Sequence, residues 1–227
     1  MSKIWTTGRP SQFIRGRETL LIISHSYGQK LESAGFSRMI SEGHDVDVKY
    51  VYRSGATYNT YLTDSSLFSQ IASANPHFVL VILAGNSISS DTSRQTIKRQ
   101  CLEFYHRLRF ELPDAVIIGA QAETRFYGED NKWHAPTGRQ YKSDRHFINN
   151  LLARNVKEID HILMLGGPAR LDRRELYESN GYHLNRAGWR VYWSHIKGMI
   201  DYIHKQIEQR LRCEGKLQRL DQKCQRK

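Results

Sequence analysis

The sequence predicts an α/β protein in which one parallel sheet of five strands is covered by helices on both faces, giving three layers. Three observations carry that reading. Five short runs are nearly all apolar and rich in β-branched or aliphatic residues, the composition of strands buried on both faces. Helical patterns separate the runs, and strand–helix alternation of this kind builds a parallel sheet. Right-handed crossovers and short connections then favour the strand order 2-1-3-4-5.

Taken in order, the first run opens at Thr19 and breaks into small polar residues at Ser24, His25 and Ser26, with a helical pattern following over Gln29–Glu42. On that stretch alone Ser26 reads as a helix cap. Asp47–Tyr52 alternates as a strand, Ser65–Ala74 is helical, and Phe78–Ala84 is a buried strand. A helix is expected over Ser93–Phe110, with Arg94, Lys98, Arg99, Arg107 and Arg109 as a solvated face. Ala115–Ala120 is the fourth strand and Tyr127–Tyr141, rich in Gly, Asn, Pro and charge, a long loop. Ser143–Lys157 is helical and His161–Leu165 is the fifth strand. From Arg186 to about Leu211, residues Trp189, Trp193, Ile196, Ile200, Ile203 and Ile207 fall three or four apart, one face of a long amphipathic helix. The expected organisation is an N-terminal extension (1–17), one domain (18–204) and a basic helical tail (205–227).

Composition narrows the partners. The chain of 227 residues carries a formal charge of +11, which attracts anions without choosing among them. The tail supplies eight Lys/Arg against three acids, a net +5, and is expected to bind polyanions or nucleic acid weakly. No zinc spacing, RNP-like sequence or helix-turn-helix signature accompanies that charge. Cys101, Cys213 and Cys224 form no Cys-x-x-Cys pair, so a reducing compartment and no disulfide framework are expected. Met1–Arg17 lacks an apolar segment, which reads against a signal peptide or membrane anchor and for an intracellular, cytoplasmic or nuclear, location. No cofactor or metal is expected, and the oligomeric state is not legible.

In parallel sheets, ligands sit beyond the carboxyl ends of the strands. The first strand delivers Ser24-His25-Ser26 there, the second Arg53-Ser54-Gly55-Ala56-Thr57, and the third Gly85-Asn86-Ser87. The fourth delivers Gln121-Ala122-Glu123-Thr124, with Glu123 read as a loop carboxylate. The fifth delivers Gly166-Gly167-Pro168, followed by Asn180-Gly181-Tyr182-His183-Leu184-Asn185. Acyl transfer needs these types: a serine hydroxyl, a histidine to take its proton, and N–H donors for the oxyanion.

On Ser26, Gly55, Asn86 and His183, in that chain order, the sequence resembles the SGNH (GDSL-like) hydrolase superfamily over about residues 18–204. The serine near the N-terminus and the histidine just before the last helix follow the family's habit, and the motif spacing is similar to SGNH-like domains in open reading frames of animal mobile elements. The resemblance implies a flavodoxin-like fold and hydrolysis of small esters. It casts Ser26 as nucleophile, His183 as base, and Ser26, Gly55 and Asn86 as the oxyanion hole.

It also implies three carboxylates that this chain lacks. His25 precedes the serine, Ser87 follows the asparagine and Asn180 stands three residues before the histidine, where the family carries aspartates. The third loss matters most, because an acid-to-amide change at a histidine costs a serine protease about 10⁴-fold in turnover. Asn180 is expected to hold His183 through its side-chain oxygen, with Glu175, Glu178 and Asp172 as nearby candidates for a substitute acid. Three functions stay open: a weakened serine esterase or deacetylase, an inactive scaffold or binding domain, and a nucleic-acid-associated module.

Overall fold

The computed structural model describes residues 18–41, 46–89, 91–126, 138–159, 162–166, 169–203 and 205. The expected extension 1–17 and, but for Lys205, the basic tail lie outside them, as does most of the expected loop 127–141.

Five parallel strands form the sheet: β1 (Glu18–Ser24), β2 (Val46–Tyr52), β3 (Phe78–Ile82), β4 (Val116–Ala120) and β5 (Ile162–Leu165), in the order β2-β1-β3-β4-β5. Their side chains alternate between two apolar layers. Leu21, Ile23, Val79, Val81 and Ile117 pack against α3 (Tyr58–Thr63), α4 (Ser65–Ser73), α5 (Arg94–Glu111) and α6 (Gly138–Arg154), where Tyr61, Phe68, Phe104 and Leu152 meet them. Leu20, Ile22, Leu80, Ile82 and Ile118 face α1 (Ser26–Ser33), α2 (Phe36–Ser41) and the helical residues 186–203, here α7, through Tyr27, Leu31, Phe36, Tyr192 and Ile196. Burial on both faces is why the strands are continuously apolar, and each buried Leu or Ile contributes about 1.5–3 kcal/mol.

Several boundaries differ from expectation. The helix expected over Gln29–Glu42 is two helices, broken at Gly35, whose φ of +74° suits glycine. Helix α3 has no counterpart in the sequence reading; it is nucleated by a Thr57–Thr60 capping box, and Asp64 then caps α4. Helix α6 starts at Gly138, within the expected loop, because Tyr141 is buried on the sheet. The solvated face of α5 is only partly solvated. Arg107 lies 3.9 Å over the Phe68 ring and donates to Leu62 C=O, Arg109 donates to the carbonyls of Leu112, Pro113 and Ala115, and Arg94 pairs with Asp144 at 2.6 Å. No helix among the described residues is long and apolar enough to cross a membrane.

The register matters for function. Ser24 pairs with Tyr52 on one side and Ile82 on the other, so β1, β2 and β3 end level and their following loops leave one rim.

Candidate active site

Ser26 is the first residue of α1, and His25 is the cap: its Nδ1 accepts from the Tyr27 N–H at 3.4 Å. Because His25 takes the capping role first read for Ser26, the serine hydroxyl is available to another partner. That partner is His183, whose Nε2 lies 3.1 Å from Ser26 Oγ. Ser26 Oγ also lies 3.4 Å from His25 Nδ1. His25 is fully buried, and burial first, then the nearby Arg125 and His183, push its imidazole well below the ordinary histidine value. It is therefore a neutral ring and a poor base.

His183 arrives from the far end of the chain on a tightly tied loop. Tyr177 and Leu184 form an antiparallel bridge, the Glu178 N–H donates to His183 C=O at 2.8 Å, and the Tyr27 hydroxyl donates to Tyr182 C=O at 2.9 Å. The Phe126 N–H donates to Gly181 C=O at 2.7 Å, and a Cβ on Gly181 would lie 1.8 Å from the Phe126 carbonyl oxygen. With φ at +72°, that position accepts only glycine. Burial lowers the His183 pKa below its ordinary value; Glu178 opposes the shift, and Lys30 and Arg125 add to it.

Asn180 holds His183 through its oxygen, as expected, but at the backbone N–H; the ring meets its nitrogen. Asn180 Oδ1 accepts the N–H groups of Tyr182 at 3.1 Å and His183 at 2.9 Å. Its Nδ2 donates to Glu178 Oε2 at 3.2 Å and lies 3.2 Å from His183 Nδ1. Exchanging oxygen and nitrogen would set an NH₂ group against two backbone N–H groups, so the network fixes the amide this way round. An N–H facing Nδ1 leaves the neutral ring's proton on Nε2, pointed at Ser26. That is the tautomer of a donor, not of a base.

Of the three substitute acids, Asp172 is engaged by Thr124 and Arg145 and Glu175 by Arg173. The Thr124 hydrogen bond, ahead of the Arg145 contacts, holds Asp172 below the usual carboxylate range. Glu178 faces the histidine, with Oε2 3.8 Å from Nδ1, while its Oε1 pairs with Lys30 at 3.3 Å.

The rest of the rim collects the oxyanion candidates. Gly55, at φ +74°, sits in the turn after β2; the Arg53 N–H donates to Ser24 C=O and the Tyr58 N–H to Ser87 Oγ, tying that turn to β1 and the β3 loop. Ser87 donates in turn to Leu83 C=O at 3.2 Å. Asn86 is bonded through Oδ1 to Arg125 Nη2 at 2.7 Å, and Glu123 is 3.7 Å from the same nitrogen. Glu123 is the loop carboxylate expected, in the segment after β4, but it is buried. Arg125 was not legible as a site residue, since it stands one place beyond the residues that the fourth strand was read to deliver and its partner is 39 positions away.

No family model matches this sequence, and no curated protein matches it. Solved structures do. A GDSL-like lipase from Bacteroides thetaiotaomicron aligns with a TM-score of 0.63 at 10% identity, over 82% of this chain and 89% of its own. The lipase/acylhydrolase from Enterococcus faecalis aligns at 0.58 and 14%, over 82% and 95%. The psychrotrophic esterase EstA from a Pseudoalteromonas species, in a structure inhibited by monoethylphosphonate, aligns at 0.58 and 17%, over 84% and 99%. The fold of this chain is that of the SGNH hydrolases. These likenesses do not bear on the mobile-element resemblance.

Proposed function

We propose that this chain is a serine hydrolase of small carboxylic esters, of the esterase or deacetylase class, slowed by its indirect acid support. The observation that carries the reading is the 3.1 Å contact between Ser26 Oγ and His183 Nε2. Ser26 Oγ attacks the acyl carbon as its proton passes to His183, the alcohol leaves with that proton, and water drawn through His183 releases the acid. The N–H groups of Ser26 and Gly55 and the Asn86 amide receive the oxyanion.

His183 acts as base only once its proton sits on Nδ1. That step requires the Asn180 N–H to give way and Nδ1–H to turn to Glu178, 3.8 Å away. Glu178 is the acid of this scheme, working at longer range than a directly bonded aspartate. Its side chain is 36% exposed, so solvent weakens its hold on the imidazolium.

A fluorophosphonate probe tests the reading directly. Wild-type protein should be labelled at Ser26, the Ser26→Ala protein not at all, and the His183→Ala protein far more slowly. The same set should rank identically on p-nitrophenyl acetate. A second reading, a scaffold that retains the fold without turnover, is favoured by the Asn180 N–H facing Nδ1. Equal background rates for wild type and Ser26→Ala would select it.

A further inference from the structure

A guanidinium buried at the rim plays no part in the scheme above. The Arg125 side chain is only 9% exposed and that of Glu123 3%. A charge taken out of water is costly unless its hydrogen bonds and its charge are both met. Arg125 Nη2 meets Asn86 Oδ1 at 2.7 Å and Glu123 Oε1 at 3.7 Å, and the guanidinium lies 5.6 Å from the centre of the Tyr141 ring. Tyr141, from α6, also donates its hydroxyl to Glu123 C=O at 2.9 Å, fixing the segment that carries the pair.

The β3 loop is shaped to admit this group. A Cβ on Gly85 would lie 2.7 Å from Arg125 Nη2 and 3.0 Å from Glu123 Oε1. Only a residue with no side chain, directly before Asn86, lets a paired guanidinium reach the amide. Ser87, the residue after Asn86, is occupied with Leu83 and Tyr58, while Asn86 Oδ1 is held by Arg125 from the segment after β4.

We infer that Arg125 is the positioning residue of the oxyanion hole, an inference that rests on the esterase reading. By holding Asn86 Oδ1 it fixes which way round the amide stands and leaves the Nδ2 donor for the substrate's carbonyl oxygen. A preorganised donor is worth more than one that must reorient during the reaction. The fixed positive charge behind the amide strengthens that N–H as the oxyanion forms. Glu123 matches the charge and keeps the guanidinium from withdrawing to solvent.

The test compares Arg125→Met, Arg125→Lys and Gly85→Ala in the full chain. The readouts are the rate of Ser26 phosphonylation, kcat and KM on p-nitrophenyl acetate, thermal melting, and the side-chain ¹H–¹⁵N signals of Asn86. Arg125→Met should lower kcat and phosphonylation about tenfold or more, less than the 10²–10³ for losing an oxyanion donor outright, with KM within about twofold. Arg125→Lys, or millimolar guanidinium added to the Met variant, should recover part of the loss. Gly85→Ala, which pushes the guanidinium off while leaving it in the chain, should match Arg125→Met and also stands in if that variant does not fold. A folded Arg125→Met protein with wild-type kcat overturns the inference, as does a loss confined to KM. If wild type is neither labelled nor active, the esterase reading fails separately. The Asn86 signals then decide: movement in Met and Gly85→Ala with return in Lys upholds the positioning contact, and unmoved signals overturn it.

Discussion

At the His183 half of the rim the ring faces the Asn180 amide, and the nearest acid, Glu178, shares itself with Lys30 in a half-exposed pair. At the Asn86 half an acid and a guanidinium, Glu123 and Arg125, are both buried. The two pairs have similar separations, 3.3 and 3.7 Å, but very different surroundings. Solvent screens the first, and exposed pairs of that kind are worth about 0–1 kcal/mol. The second sits where polarity is not screened and where a lone charge could not stay. The charge pair behind Asn86 is therefore buried and intolerant of losing a partner, whereas the pair beside His183 is exposed and screened.

The largest effect removes what both halves serve. Ser26→Ala should eliminate probe labelling and ester turnover together, while chemical denaturation shifts by less than about 1 kcal/mol, because a half-buried rim hydroxyl carries little of the core. Residual turnover equal to wild type would dissolve the comparison, since neither half would then be serving catalysis.

Next comes a change that isolates the Asn86 half. Asn86→Asp keeps an acceptor for Arg125 but removes the N–H donor and places negative charge where the oxyanion must form. It should cost about 10²–10³ in kcat with little change in melting temperature. A loss of only a few fold would show that Asn86 is not an oxyanion donor.

The two halves also differed in how far the sequence revealed them. Ser26 was legible as a candidate because it opens a helix directly after a strand, Asn86 because it follows the third apolar run and His183 because it shortly precedes the last helix, and the sheet itself because burial on both faces leaves continuous apolar runs. The six-residue α3 was not, since it is too short for periodicity and its Thr57–Thr60 box lacks the usual acid. Arg125 carries no local signature, as its meaning comes from a glycine and an asparagine in the turn after β3. Which end of Asn180 meets the His183 ring is hidden for a related reason. An amide's two ends look alike in sequence, and only the backbone N–H groups of Tyr182 and His183 decide which end turns to the histidine.

The His183 half can be tested by placing an acid at position 180. In Asn180→Asp, one carboxylate oxygen would accept the N–H groups of Tyr182 and His183, and the other would take His183 Nδ1–H where Asn180 Nδ2 now stands. That sets the tautomer a base needs. The new charge would, however, lie close to Glu178, which is 3.2 Å from the present amide nitrogen, and like charges at that range oppose each other. Asn180→Asp combined with Glu178→Gln should therefore raise kcat about tenfold or more, and more than Asn180→Asp alone. Stopped-flow acylation with p-nitrophenyl acetate measures it; no gain in either protein would count for the scaffold reading.

The smallest effect is a pair of opposed shifts in pH dependence. His183 must be neutral to take the serine proton, so kcat/KM should rise with pH along a limb set by its pKa in the free protein. Burial holds that pKa below the ordinary histidine value, so the limb lies on the acid side of about 6.5. Glu178 favours the imidazolium, hence Glu178→Gln should move the limb further down. Lys30 and Arg125 disfavour it, hence Lys30→Met and Arg125→Met should each move it up. Among the charges Glu178 acts most strongly on the ring, so its shift should exceed the other two. Raising the salt from 0.01 to 1 M should shrink the Lys30 and Glu178 shifts, which pass through solvent, and leave the Arg125 shift nearly intact because that charge is buried. Equal salt sensitivity at all three positions would break the contrast between a buried charge pair and a screened one.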